Sequence, residues 1–235
     1  LTDANSKNYT PAHDLFEDMA IEQFIENCFN DNKSSPADFF EAIGPEPALR
    51  RAYRVWVTGK LYANDKIVID LITDAVSSSN LEQFWKDETI VASLLSAQAK
   101  ELLQKLKSYL FRNNKSLLLR VIHLLRIACK QPNYMLIEKM GDQSKQNVAL
   151  SFLFVCPMGF GWEAIIHLIA DNLSEFTLND SYTIHGLLFD WTSPFDLDQD
   201  VTEATKDAGK SAFYFYDQDR KSVVKVKNVG SSCRW

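Results

Sequence analysis

The chain has 235 residues, a net charge of −6 at pH 7 and a pI near 5.3, and its acidic and basic residues are interspersed. Binding to free nucleic acid requires a basic stripe, so we predict no nucleic-acid partner. Hydrophobic residues make up 46% of the chain, which supplies a sizeable core. Eight glycines and seven prolines are few for this length, which argues against a turn-rich sandwich or barrel and favours helices.

Two further features bear on the cellular setting. The longest apolar stretch, residues 148–156, is too short to cross a bilayer, so no membrane partner is predicted. The four cysteines lie at 28, 129, 156 and 233 without metal-ligand spacing. In so apolar a chain they are expected to be reduced core residues, which indicates a cytoplasmic setting.

The predicted elements are helices joined by short polar segments. The first helix is predicted from about 12 to 29, a short helical turn begins at Pro36, and Pro45 and Pro47 suit the first turn of the next helix. Further helices share the same three- and four-residue spacing of apolar side chains, at about 65–77, 81–95, 97–112, 116–130, 134–140, 147–155, 161–173 and 181–192.

The C-terminal part allows two interpretations. Residues 203–216 can form a helix with alanines facing inward, whereas 212–216 and 222–226 can instead form a β-hairpin across 217–221. We favour a helix for the first part and leave the valine run at 222–226 open. The predicted fold class is all-α, with stacked antiparallel helical hairpins in an irregular α-solenoid and a small β-hairpin near the C-terminus as the open alternative.

One motif in the chain has a chemical interpretation beyond packing. His13 and Asp14 follow Pro11 and open the first helix, where acidic residues complement the positive end of the helix dipole. Adjacent His-Asp pairs also occur in metal-dependent phosphohydrolases, but those enzymes need another histidine upstream, and no histidine precedes His13. We therefore predict no metal ligands in this chain and keep this enzyme as the third hypothesis.

The segment Ala-His-Asp-Leu at 12–15 resembles the Met-His-Asp-Leu motif of signal-transduction ATPases with numerous domains, which include NACHT and plant resistance-type switch proteins. Ala12 replaces the usual methionine. Three later segments are similar to those of bacterial members: Asp-Met-Ala at 18–20, Phe-Phe-Glu-Ala-Ile-Gly at 39–44, and the arginine- and tryptophan-bearing helix at 49–56.

The resemblance implies a division of the chain and a role for its first helix. Residues 1–62 would form the end of the nucleotide switch and its linking helices, and 63–235 the helical-repeat sensor scaffold. His13, next to Asp14, would contact the β-phosphate of ADP held by the rest of a larger parent protein. The resemblance also implies a protein trigger, nucleotide-dependent oligomerisation and a part in antiviral defence.

The chain itself is predicted to be non-catalytic and to hold no cofactor. Its nearest match to a phosphate-binding loop, residues 204–211, has Ala204 where the first glycine belongs, and it follows the acidic segment 196–200 rather than a buried strand. No catalytic residue is predicted, and ATP or ADP would belong to the parent protein. The alternative function is a stand-alone helical-repeat module that binds proteins.

Three arginines on the third helix are candidate binding residues. Arg50, Arg51 and Arg54 could hold a phosphate or an acidic partner. Alternatively, they form ion pairs with Glu41, Glu46 or acids of the first helix.

The remaining aromatic and histidine residues are expected to serve packing. Trp56, Trp85, Trp162 and Trp191 are predicted to anchor helices, and His123 and His167 to be buried or half-buried. The segment 156–162 is predicted to be a tight corner between helices, or a place where its two glycines let a partner backbone approach.

Overall fold

A computed structural model describes residues 12–33, 35–132, 155–192 and 202–231, with the backbone alone for 12–18 and 221–231. The predicted all-α class is confirmed. The helices are α1 (Ala12–Asp31), α2 (Pro36–Ile43), α3 (Pro47–Tyr62), α4 (Lys66–Ser77), α5 (Gln83–Leu95), α6 (Ala99–Leu110), α7 (Ser116–Ala128), α8 (Phe160–Ala170), α9 (Ser181–Thr192) and α10 (Glu203–Ser231).

Local chemistry explains where these helices begin. Ser35 Oγ accepts from the backbone N–H of Asp38 at 3.3 Å and caps α2, whose first residue is a proline. Asp65 caps α4 in the same way by accepting from the N–H of Ile67 at 3.0 Å. The start of α2 at Pro36 agrees with the prediction, and the start of α4 at Lys66 lies within one residue of the predicted 65.

Contacts divide the chain into an N-terminal unit, Leu1–Ser93, and a C-terminal unit, Leu94–Trp235. The boundary predicted after residue 62 concerns function and stays a prediction, as does the finer α-solenoid arrangement. In the part of the chain that the structure describes, no helix is long and apolar enough to cross a membrane.

The N-terminal unit is built around aromatic side chains from α1, α2, α3 and α5. Tyr53 and Phe39 are fully buried, and the ring of Trp56 lies 5.0 Å from that of Phe29 and 5.7 Å from that of Phe39. Large aromatic side chains contribute much of the burial energy of a core. The other members of the aromatic core are Phe40 and Trp85.

The C-terminal unit is centred on α8, which packs against α6, α7 and α10. Trp162 is fully buried, and its Nε1 donates to the carbonyl of Cys129 at 2.9 Å. Gly161 lets the backbone of α8 approach Leu94, because a Cβ at position 161 would lie 2.5 Å from the Leu94 carbonyl oxygen. Of the two glycines in 156–162, Gly161 therefore allows a close approach of two backbones within the chain, whereas Gly159 has a positive φ of 97°.

Two sequence predictions are wrong in detail. The helix predicted over 116–130 ends at Ala128, and the one predicted over 147–155 cannot include Val155, because two short antiparallel strands form there. These are β1 (Lys130–Pro132) and β2 (Val155–Pro157), with Gln131 opposite Cys156. The predicted helix 134–140 and residues 147–154 lie outside the described residues.

The alternative C-terminal hairpin does not form, since α10 runs unbroken from Glu203 to Ser231. Its inward residues recur at helical spacing and pack on α8. The buried positions on this face are Ala204, Ala208, Ser211 and Phe215. The helix interpretation of 203–216 is therefore confirmed, and the valine run is helical as well.

Candidate functional site

The sequence-predicted nucleotide-sensing pair lies in the first turn of α1. The backbone is helical from Ala12, so His13 and Asp14 belong to the same continuous helix as Phe29. Their side chains are outside the described part of the structure. What the structure does describe is how the other end of α1 is held.

Glu26 connects the second half of α1 to α3. Trp56 Nε1 donates to Glu26 Oε2 at 2.6 Å, and Lys60 Nζ lies 2.9 Å from Oε1 and 2.8 Å from Oε2. Partial burial disfavours the charged carboxylate, but the hydrogen bonds from Lys60 and Trp56 and the charge of Lys60 outweigh it, so the pKa of Glu26 lies below its ordinary value. The ammonium group of Lys60 also lies 5.7 Å from the centre of the Trp56 ring.

Apolar contacts reinforce this connection. Ile25 and Phe29 of α1 are buried in the aromatic core, where the Phe29 ring meets Phe39 edge-on at 5.7 Å. A shift of α1 along its axis would therefore break a charged hydrogen-bond network and a close-packed aromatic contact together. Sequence reasoning found the apolar face of this helix but missed Glu26.

The candidate arginines face different neighbours. Arg54 Nε lies 2.7 Å from Glu88 Oε2, although it is not oriented to donate a hydrogen bond, and the Arg50 guanidinium lies 5.4 Å from the centre of the Phe84 ring. Arg51 is exposed. The structure thus gives Arg54 an acidic partner on α5, Glu88, which differs from the acids predicted at 41, 46 and in the first helix. Binding of an outside ligand by these arginines stays a prediction.

Helices α3 and α5 run parallel where they touch, which explains why Glu88 was not predicted as the partner of Arg54. Arg50 and Arg54 of α3 contact Phe84 and Glu88 of α5, so residues later in one helix meet residues later in the other. Short joints predict antiparallel packing for consecutive helices, whereas α3 and α5 are separated in sequence by α4. No local sequence pattern predicts such a contact, because apolar periodicity identifies a helix and not its neighbours.

A buried hydroxyl pair lies at the same contact. The Thr89 hydroxyl donates to the Trp85 carbonyl at 2.8 Å, so the Tyr53 hydroxyl, 2.9 Å from Thr89 Oγ1, must be the donor between the two. Burial raises the pKa of Tyr53. Each hydroxyl of this pair therefore has a hydrogen-bond partner in the core.

The N-terminal unit also contains an open pocket of about 380 Å³ between α2 and the start of α5. Its inner wall is aromatic, and its rim carries two carboxylates. The lining residues are Ala37, Phe40, Glu41, Gly44, Pro45, Asn80, Leu81, Glu82, Phe84 and Trp85. We refer to it as the α2–α5 pocket.

In the C-terminal unit, Asp190 of α9 binds two cations. Its Oδ2 lies 2.9 Å from Arg126 Nε and 3.2 Å from Lys130 Nζ. Partial burial acts against ionisation, but these two partners outweigh it and hold the pKa of Asp190 below its ordinary value. Gly186, one turn earlier, leaves room for the Arg126 guanidinium.

The histidine and tryptophan predictions have mixed outcomes. His167 is half-buried and its Nδ1 lies 2.8 Å from Asp207 Oδ2, as predicted for a packing residue. His123 is exposed, so the prediction of burial is wrong, because the buried face of α7 is formed by the residues on either side of it. Trp56, Trp85 and Trp162 are buried as predicted, and Trp191 stacks on Trp162 with 6.4 Å between ring centres.

No protein-family model, curated protein or solved structure matches this chain. Within the described residues, no three or more His, Cys, Asp or Glu side chains are grouped as metal ligands. Cys28 and Cys129 are buried, Cys156 is partly buried, and their reduced state stays a prediction.

Proposed function

We propose that this chain is a non-catalytic helical scaffold from a larger NTP-dependent signalling or defence ATPase, in which α1 couples ligand sensing to the nucleotide switch. One observation supports this most directly: the helix that opens with His13 and Asp14 also contributes Glu26 and Phe29 to the contacts with α3. A displacement at one end of such a helix is transmitted to the other.

The distance and the chemistry suit this role. His13 and Glu26 are about 20 Å apart along a helix that rises about 1.5 Å per residue. An imidazole N–H can donate to a phosphate oxygen of ADP, and loss of that bond would change the preferred position of α1. Allosteric coupling requires one structural element that has two arrangements, and the nucleotide and the trigger ligand must each favour one of them. In this proposal α1 is that element.

The setting follows from the resemblance of the sequence alone. We propose a cytoplasmic protein whose bound ATP or ADP is held by the parent, whose trigger is a protein, and which oligomerises when activated.

The experiment uses the polypeptide from its natural start codon. Bound nucleotide is released by denaturation and quantified for the wild type, for His13→Ala and for Gln23→Ala, whose side chain is exposed on the same helix. We expect ADP to be retained by the wild type and the control and lost from His13→Ala. Equal retention in all three proteins would contradict the role of His13.

A second candidate is a stand-alone module that binds proteins, and an apolar cavity in the C-terminal unit favours it. This cavity, of about 240 Å³, has Leu95, Met158 and Phe160 at its edge, each 40% to 55% exposed. Under this alternative the natural-length protein binds no nucleotide, so the same measurement distinguishes the two functions.

A further inference from the structure

The α2–α5 pocket combines aromatic side chains with unpaired negative charge. Phe40 and Trp85 lie 4.9 Å apart and Phe84 and Trp85 5.3 Å apart, measured between ring centres, and they form the inner wall. Glu41 and Glu82 are exposed at the rim. Neither carboxylate has an ion-pair partner among the residues that the structure describes.

The charge of the pocket selects the kind of ligand. The lining residues include two carboxylates and no lysine or arginine. Glu46 adds a third carboxylate beside Gly44, since its Oε2 would lie 2.9 Å from a Cβ built on that glycine. An anionic ligand such as a nucleotide would therefore be repelled, whereas a cation would be attracted by the carboxylates.

One ring of this aromatic wall already contacts a guanidinium within the chain. The Arg50 group already lies over the Phe84 ring at 5.4 Å from its centre. A planar guanidinium can stack on a ring while its N–H groups donate to carboxylates, which an ammonium does less well. The volume lies at the small end of the range for ligand pockets, about 300–1,000 Å³, so it suits one long side chain.

We propose that the α2–α5 pocket binds an arginine side chain of a protein partner, with Glu41 and Glu82 accepting hydrogen bonds from the guanidinium and the aromatic wall contacting its stem. This proposal is independent of the nucleotide role of His13. It gives the N-terminal unit a peptide-binding site of defined charge.

The test is an NMR titration of the whole chain with a blocked Gly-Arg-Gly peptide, observed at the amides of Gly44 and Asn80. The matched peptide carries citrulline, which has nearly the shape of arginine but no charge. We expect the arginine peptide to bind about tenfold more tightly than the citrulline peptide. Equal affinities, or no saturable shift at about 10 mM arginine peptide, would overturn the proposal.

Variants identify the site. Glu41→Gln combined with Glu82→Gln should weaken binding about three- to tenfold, as expected for the loss of two partly exposed ion pairs. Asp70→Asn combined with Asp74→Asn removes the same charge from exposed positions on α4, outside the pocket, and should leave the affinity unchanged. An equal loss in both double variants would indicate general charge attraction and would contradict the assignment.

A steric variant makes the test independent of charge. Ala37→Phe places a ring at an exposed position of the pocket lining, and Ala42→Phe places one at an exposed position of the same helix outside it. Circular dichroism establishes that both variants are folded. Binding should be lost in Ala37→Phe and kept in Ala42→Phe. Unchanged binding by Ala37→Phe would place the peptide elsewhere and overturn the proposal.

Discussion

Trp56 donates a 2.6 Å hydrogen bond from its indole nitrogen to the carboxylate of Glu26, 30 residues earlier in the chain. The same carboxylate binds Lys60, one turn further along α3. Trp56 therefore contacts α1 twice, through a hydrogen bond to Glu26 and through apolar packing against Phe29. The position of α1 on α3 is thus specified by direction-dependent bonds as well as by packing, which rigid coupling through α1 requires.

Removing this carboxylate should weaken the N-terminal unit. We expect Glu26→Gln to lower the free energy of unfolding by about 1–2 kcal/mol, because a hydrogen-bonded charged acceptor becomes neutral and Lys60 loses its partner. Glu22→Gln, on the same helix, is the control and should change stability by less than about 0.5 kcal/mol. Urea unfolding followed by circular dichroism measures both, and equal effects would show that Glu26 has no special role.

The contribution of Glu26 should depend on pH with a definite sign. Its pKa in the folded chain lies below the ordinary value of 4.5, so the folded state binds the proton less readily than the unfolded state. The stabilisation is therefore fully present above about pH 5 and is lost as the pH falls through 4.5 and then through the lower folded pKa. Unfolding curves from pH 7 to pH 3 should show wild type and Glu26→Gln converging in acid; a constant difference would contradict this.

Gly161 should tolerate no side chain. A Cβ there would lie 2.5 Å from the Leu94 carbonyl oxygen and 3.0 Å from Leu94 Cβ, and the backbone cannot move away cheaply. Gly161→Ala should destabilise the chain by about 1–3 kcal/mol. Gly209→Ala, in open space on α10, should instead stabilise it by about 0.5–1 kcal/mol. Thermal unfolding should give opposite signs for the two variants.

Asp190 and Gly186 should act on the same cation. A Cβ at position 186 would lie 2.7 Å from Arg126 Nη1, so Gly186→Ala displaces the group that Asp190 binds. Each of Gly186→Ala and Asp190→Asn should cost about 1 kcal/mol, and the double variant should cost less than their sum. Full additivity in a double-mutant cycle would show that the close approach at Gly186 and the ion pair are independent.

Local sequence signals predicted most of the helices, because capping and periodicity act within a few residues. Asp65 ends a turn and caps α4, and the asparagines at 113 and 114 adopt the left-handed conformation expected of a polar joint. The pairing of Lys130 with Pro157 could not be predicted in this way, because each strand has three residues and depends on a distant partner.

Candidate site residues could be predicted from the sequence only where they lie in the same helix. His13 and Asp14 are adjacent in sequence, whereas Glu26 meets Trp56, and Arg54 meets Glu88, only because α1, α3 and α5 pack in a particular register. The apolar periodicity that identifies a helix leaves its neighbours and its orientation undetermined. Glu41 and Glu82 come together at one pocket for the same reason.

The most direct measurement is to determine the coding sequence upstream of Leu1. We predict a strand, a glycine-rich loop ending in Lys-Ser or Lys-Thr, and a helix before His13, which together form a phosphate-binding unit. A complete upstream sequence without that unit would contradict a nucleotide role for His13 and would favour the stand-alone binding module.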